Sequence, residues 1–300
     1  MRYKKYRQIL DRINSDPKLN RQDTEDQYVI DAIKEILKAE HPDVYKEWEG
    51  KEFDVNHLFH YQEPGYASYT FTLLHAAASC NMMNVVKALV KAGADINATE
   101  DVFKRAPLYW ATGSNHIDLN IIRFLLEKGA HINAIDECGE TALHFAVRFG
   151  NESIVNVLLE QEGVHVNIAD IDGMTPLHQA VFYNYTNIVN ALLKKEANPS
   201  WQDESGKTPL HLAVEYGYKD VIKTLLLAGT NTSLENNEGD TPIDSTISDE
   251  IKDFFKNVEG ELHNMKNKKI GDTDATLNEN AHNSSLAEVD LSSVVKSTQR

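Results

Sequence analysis

Cysteine is nearly absent from this chain: Cys80 and Cys138 are the only two in 300 residues. That excludes a disulfide scaffold and a multi-cysteine zinc site, and it points to a reducing compartment. Long apolar runs are missing too. No stretch approaches the roughly 20 residues that a membrane-spanning helix requires. The basic start Met1-Arg2-Tyr3-Lys4-Lys5 is followed by no apolar core. Export through the usual signal peptide is therefore not expected, and a cytoplasmic location is. Positive charge is also scarce, with 30 Lys and Arg against 46 Asp and Glu, a formal balance of −16. Nucleic acid is not expected as the main partner, because phosphates need a basic face. The acidic balance favours solubility and partners with a basic surface. What remains is ordinary for a folded chain: 41% hydrophobic and 25% charged residues.

What is present is repetition. Thr72-Leu-Leu-His75, Ala106-Pro-Leu-Tyr109, Thr141-Ala-Leu-His144, Thr175-Pro-Leu-His178 and Thr208-Pro-Leu-His211 are versions of one string, and Thr241-Pro-Ile-Asp244 is a decayed sixth. Their starts are separated by 34, 35, 34, 33 and 33 residues. A fixed period near this length marks stacked repeats. Other positions keep the same phase. Leu89-Val90, Leu158-Leu159, Leu192-Leu193 and Leu225-Leu226 follow their Thr by 17 residues. Gly93, Gly129 and Gly229 come soon after such a pair, or where one is expected, and suit left-handed helix caps. Gly139, Gly173, Gly206 and Gly239 stand two residues before a Thr, and Asp136, Asp170 and Asp203 stand three before those glycines, as a tight turn requires.

This pattern resembles the ankyrin repeat, a β-turn finger followed by two antiparallel helices. The resemblance covers residues 69–256 and implies a mostly α solenoid. The repeats run over about 69–98, 99–134, 135–168, 169–201 and 202–234, with a partial sixth at 235–256. Departures fall in connections. Two extra residues lie near Gly113–His116, one precedes Asp101, and one lies between Leu159 and Asn167. Lys104 replaces the finger glycine of repeat two and Glu196 the cap glycine of repeat four, so these joints are expected to be the least regular.

The flanks differ. Residues 1–60 carry an apolar helical face (Val29, Ala32, Ile33, Ile36, Leu37) continued by Leu58 and Phe59, which reads as a helical region capping the stack. The repeat domain is placed at 61–256. Ile243, Ile247, Ile251, Phe254 and Phe255 suit a degenerate closing helix. Residues 257–300, rich in Asn, Ser and Lys, read as a disordered tail.

Several chemical motifs dissolve into the repeat. Gly206-Lys207-Thr208 mimics the end of a phosphate-binding loop, but Trp201 stands where that loop needs glycine. Asp170-Ile-Asp172-Gly-Met-Thr175 resembles the nucleophile loop of haloacid-dehalogenase-type phosphatases, yet Asp170, Gly173 and Thr175 recur in phase in neighbouring copies. His75, His144, His178 and His211 are one per repeat and do not converge as metal ligands must. His57 and His60 could share a helical face but lack a third ligand. No cofactor or metal is implied. Asn184, Asn231 and Asn283 match glycosylation acceptors, which mean little without a secretion signal.

The resemblance places function on the concave face built by fingers and first helices. Its register projects Glu137, Glu140 and Phe149 from repeat three, Ile171, Asp172, Met174, Phe182 and Tyr183 from repeat four, and Glu204 and Tyr216 from repeat five. Phe149, Phe182, Tyr183 and Tyr216 are either packing residues or an aromatic anchor. Acid also accumulates there, since residues 61–256 hold 26 acids against 14 bases. Turn chemistry and solubility alone would favour such acid. The expectation is a monomeric protein–protein interaction module rather than an enzyme. The alternatives are a secreted effector of an intracellular bacterium that binds a host protein, and an enzyme with its chemistry in residues 1–60.

Overall fold

The computed structural model describes residues 26–40, 42–61, 69–113 and 118–264. The chain divides into two compact units, Met1–Ser245 and Thr246–Arg300. Among the described residues, no helix is long and apolar enough to cross a membrane.

The first unit opens with α1 (Asp26–Glu40) and α2 (Pro42–Glu49), then a two-stranded antiparallel ribbon, β1 (Phe59–Tyr61) and β2 (Tyr69–Phe71), with Phe59 opposite Phe71. Five helix pairs follow. They are α3 (Leu73–Ser79) with α4 (Met83–Lys91), α5 (Pro107–Thr112) with α6 (Leu119–Glu127), and α7 (Ala142–Arg148) with α8 (Glu152–Leu159). The last two are α9 (Pro176–Phe182) with α10 (Thr186–Lys194), and α11 (Pro209–Glu215) with α12 (Lys219–Leu227). Each first helix packs on its own second helix and on the next first helix.

The short first helices hold their length because both ends are specified. Thr72, Thr141, Thr175 and Thr208 cap the N-termini, and Pro at the first helical position of α9 and α11 presets φ without losing a needed donor. Their Leu and Ala are fully or almost fully buried, so the helices are apolar nearly all round, as helices between neighbours must be. Second helices are amphipathic. Val85, Val86 and Leu89 of α4, or Val221, Ile222 and Leu225 of α12, make their buried side. They end on glycines at positive φ: Gly93 (92°), Gly129 (93°) and Gly229 (80°).

Lys104 and Glu196 adopt the conformation of the glycines they replace, with φ 58° and 62°. The joints expected to be irregular thus keep their backbone path at a local conformational cost. Of the residues expected to hold the two-residue insertion, Gly113–His116, all but Gly113 lie outside the described set.

The N-terminal region packs against the first repeat. Val29, Ile30, Ile33 and Leu37 of α1 are buried, and α1 packs on α4. Trp48 of α2 is fully buried and donates its indole N–H to the Asp54 carbonyl at 2.7 Å. An unforeseen feature is Asn56, which donates to the Gly93 carbonyl (3.3 Å) while its Oδ1 accepts from the Asp95 N–H (2.6 Å). Asn97 bridges to Gly129 and His131, and Asn133 to Gly163 and His165, in the same way. An asparagine ladder along the stack therefore begins inside the region that showed no repeat phase.

After α12 the sixth copy shrinks to a 3-10 turn, Pro242–Ser245, packed on α11. In the second unit residues 249–264 form helix α13, with Ile251, Phe255 and Val258 buried. The helix runs past the expected boundary at 257. Ile247, assigned to its apolar face, lies before it and is fully exposed. The remainder of the expected disordered tail, 265–300, lies outside the described residues.

Candidate protein-binding face

Three of the fingers are turns closed by their own aspartate. Asp136 N–H donates to the Glu140 carbonyl, and Asp136 Oδ1 accepts from the N–H of Cys138 and Glu140 at 2.8 and 2.9 Å. Asp170 and Asp203 repeat this, and Asn236 does it with an amide oxygen. Successive fingers are joined backbone to backbone: Glu137 to Phe103, Ile171 to Cys138, Glu204 to Asp172 and Asn237 to Ser205, at 2.8–3.0 Å. Glycine is required where they touch. A Cβ on Gly173, at φ 75°, would lie 2.7 Å from Glu204 N, and one on Gly206 would lie 2.8 Å from Asn237 N. In repeat two the turn is one residue longer. Glu100, not Asp101, takes the closing role and accepts from the N–H groups of Val102 and Phe103, while Asp101 accepts from Thr70 N–H at 2.7 Å.

The Thr-x-x-His histidines tie fingers to first helices. Nδ1 of His75, His144, His178 and His211 accepts the N–H of the capping Thr. This leaves Nε2–H to donate to the next finger's carbonyl, at Arg105 (3.0 Å), Met174 (3.3 Å), Lys207 (3.2 Å) and Asp240 (3.0 Å). Burial lowers the pKa of all four, to about 4 for His75 and His144. These residues are structural, as the repeat register implied.

Repeat two breaks this link, and the break builds the centre of the face. Tyr109 replaces His, and its hydroxyl donates to the Glu140 carboxylate at 3.1 Å. Burial raises the pKa of that hydroxyl, which keeps it a donor. Glu140 also accepts from Gln179 Nε2 (3.0 Å) and pairs with Arg148. Glu140 is 3% exposed. Its expected place as a free acid on the surface is therefore corrected: the carboxylate holds three repeats together from within. Beside it, Arg105 pairs with buried Asp136 at 2.9 Å and lies over the rings of Phe103 and Tyr109, 4.4 and 4.5 Å from their centroids.

The aromatic positions fall at the ends of first helices. Phe182 is the last residue of α9, and Phe149, Tyr183 and Tyr216 cap α7, α9 and α11. All four remain 39–47% exposed. They form two groups rather than one. Phe149 meets Phe145 at 4.8 Å, and Phe182 meets Tyr183 at 5.1 Å and Tyr216 at 5.7 Å, all edge-on. No ring contact among the described residues joins Phe149 to Phe182. Each ring thus packs along one edge and leaves apolar area to solvent.

Beside Phe182 and Tyr183 opens a groove of about 530 Å³, lined also by Met174, Asp170, Asp172 and Gln179 and, on its other side, by the internally paired Arg105 and Arg148. Ile171, also on its wall, is 61% exposed, and Glu137, Asp172 and Glu204 are exposed at the finger tips. Sequence reasoning missed Tyr109, Phe145 and Gln179. The available signal was the broken string Ala106-Pro-Leu-Tyr109, together with a polar Gln179 where other repeats carry Ala76, Trp110, Phe145 and Leu212.

The decoy motifs resolve structurally. Asp170 Oδ1 is committed to its own turn, and Gly206-Lys207-Thr208 is finger and cap. His57 and His60 are not helical. Both approach Glu47 Oε1, at 3.0 and 3.5 Å. Among the described residues no group of three His, Cys, Asp or Glu could hold a metal ion.

Comparison with known proteins agrees with this geometry. A family model for ankyrin repeats matches residues 31–136, 73–170, 119–203 and 162–236, which carries the likeness into the N-terminal region as the Asn56 ladder does. No curated protein sequence matches the chain. Many solved chains do, 631 in number. One is the crystal structure of the ankyrin repeat domain of Bcl-3, described as a unique member of the IkappaB protein family. It is 27% identical with a TM-score of 0.60, and the match covers 77% of this chain and 95% of that one. The chain belongs to the ankyrin-repeat family.

Proposed function

We propose that this chain binds a protein with a basic surface on the face made by the fingers and first helices of repeats three to five. The observation that carries the reading is the row Phe149, Phe182, Tyr183 and Tyr216, half-exposed beside exposed Glu137, Asp172 and Glu204. Large rings left partly solvated at the end of rigid helices are the residue type that dominates interface energy, and the surrounding acid supplies direction.

The test is capture of a partner by the full chain and by the double variant Phe182→Ala/Tyr183→Ala. The variant is expected to lose binding, at about 2 kcal/mol or more per ring. Thermal unfolding is the control. A variant that melts normally and still binds at full strength refutes this face as the site. A midpoint lowered by several degrees shows that the rings serve packing instead.

A further inference from the structure

The binding face contains cations, but its chain partners have already claimed them. Arg105 pairs with Asp136, Arg148 with Glu140, and Lys207 with Glu215 at 2.7 Å. By contrast Glu137, Asp172 and Glu204 are exposed, and no cation among the described residues pairs with them.

The chain also shows how this scaffold holds a guanidinium. Arg105 is fixed by the turn aspartate of the next finger, Asp136, and by the aromatic faces of Phe103 and Tyr109. Asp170 is the same turn aspartate one repeat on. Its Oδ1 closes the turn as Asp136 Oδ1 does. The register that supplied Arg105 now supplies Glu140, so among the described residues no guanidinium pairs with Asp170 Oδ2. Its one side-chain hydrogen bond among them is from the Gln179 amide nitrogen at 3.4 Å. Gln179 itself is 5% exposed and spends Nε2 on two carboxylates, which leaves Oε1 buried without a hydrogen-bond partner. At this place the surface opens as the groove, with Phe182 and Tyr183 on its wall.

We propose that this groove receives the guanidinium of an arginine from a basic segment of the partner, taking up at Asp170 and Asp172 the role that Arg105 plays at Asp136. The aliphatic stem would run along Met174, and the planar head would pair with carboxylate and lie on an aromatic face. A lysine ammonium matches such a planar, bidentate setting less well. An acidic side chain would have to displace Asp136 from Arg105 or Glu140 from Arg148 while facing Asp172. The inference rests on the binding face proposed above and adds the chemistry of one subsite.

The probes are fluorescein-labelled peptides of alternating glycine and arginine, lysine or glutamate, with N-acetyl-arginine amide for mapping on methyl-labelled full-length chain. The arginine peptide is expected to bind about tenfold more tightly than the lysine peptide, and the glutamate peptide not to bind. N-acetyl-arginine amide should shift the methyl signals of Met174 and Ile171. Asp172→Asn and Gln179→Leu should each weaken the arginine peptide about tenfold, while Glu238→Gln leaves it unchanged. Leucine already stands at the Gln179 register in Leu212, and the Asp172 side chain has no partner to lose among the described residues, so at least one variant keeps its fold. Equal affinity for arginine and lysine, binding of the glutamate peptide, unmoved Met174 signals, or a Glu238→Gln effect equal to that of Asp172→Asn would each overturn the subsite. If a captured partner is lost with Phe182→Ala/Tyr183→Ala but the arginine probes fail, the subsite falls and the face stands. If the partner ignores that double variant, the face itself falls.

Discussion

A buried histidine that accepts at Nδ1 and donates from Nε2 has no room for a second proton. In His75, His144, His178 and His211 protonation would turn Nδ1 from acceptor to donor against the Thr N–H, inside a desolvated site. Their lowered pKa values mean that below about pH 6.5 the unfolded chain binds protons the folded chain refuses. Their stabilisation is therefore complete above pH 6.5 and is lost as pH falls below it, for His75 and His144 down to about 4. His75 and His144 should each contribute about 1.4 kcal/mol per pH unit across that window. Urea midpoints at pH 7 and pH 5 measure it, and a flat response would contradict the neutral, buried assignment. Backbone strain gives a second expectation. Glu196 occupies φ 62° at a position whose counterparts are glycines, so Glu196→Gly should raise stability by about 0.5–1 kcal/mol in the same titration. Residues of this kind were legible in the sequence, since Thr-x-x-His and the missing glycines declare themselves by phase. Glu140 was not. Its register is a surface register, and only the coincidence of Tyr109, Arg148 and Gln179 from three repeats makes it interior.

Among elements, the interior helices were readable because they are specified locally, by Thr caps on four first helices, an apolar pattern, and residues at positive φ after most of them. The ends were harder. Asn56 belongs to the asparagine ladder, but 41 residues separate it from Asn97, and a β-ribbon replaces the finger between them, so the period is lost. The closing helix was recognised from Ile251 and Phe255 but ended too early, because Val258 is the last buried residue of a stretch otherwise polar. That difference is measurable. A chain ending at 257 loses Val258 and the last turns of α13, whereas one ending at 264 keeps them. The shorter chain should be less stable by about 1–2 kcal/mol, the transfer value of a buried valine. Equal midpoints would mean that α13 beyond 257 adds nothing to the fold.

At the scale of the whole molecule, a formal charge of −16 acts over distances that individual contacts do not reach. Fields from exposed Glu137, Asp172 and Glu204 add to it on the proposed face, where the cations are internally paired. Such a field accelerates encounter with a basic partner, while the half-buried rings resist separation. The two contributions should divide in kinetics. Between 50 mM and 500 mM salt the screening length falls from more than 10 Å to a few ångström, so the association rate constant should drop at least tenfold with little change in dissociation. Glu137→Gln with Glu204→Gln should slow association and flatten the salt dependence, leaving dissociation near its original rate. Phe182→Ala should do the reverse, speeding dissociation about thirtyfold, the kinetic equivalent of about 2 kcal/mol, at unchanged association. Surface plasmon resonance over a salt series separates these outcomes. Salt sensitivity carried by dissociation, or a Phe182→Ala effect confined to association, would reverse the roles assigned to acid and ring.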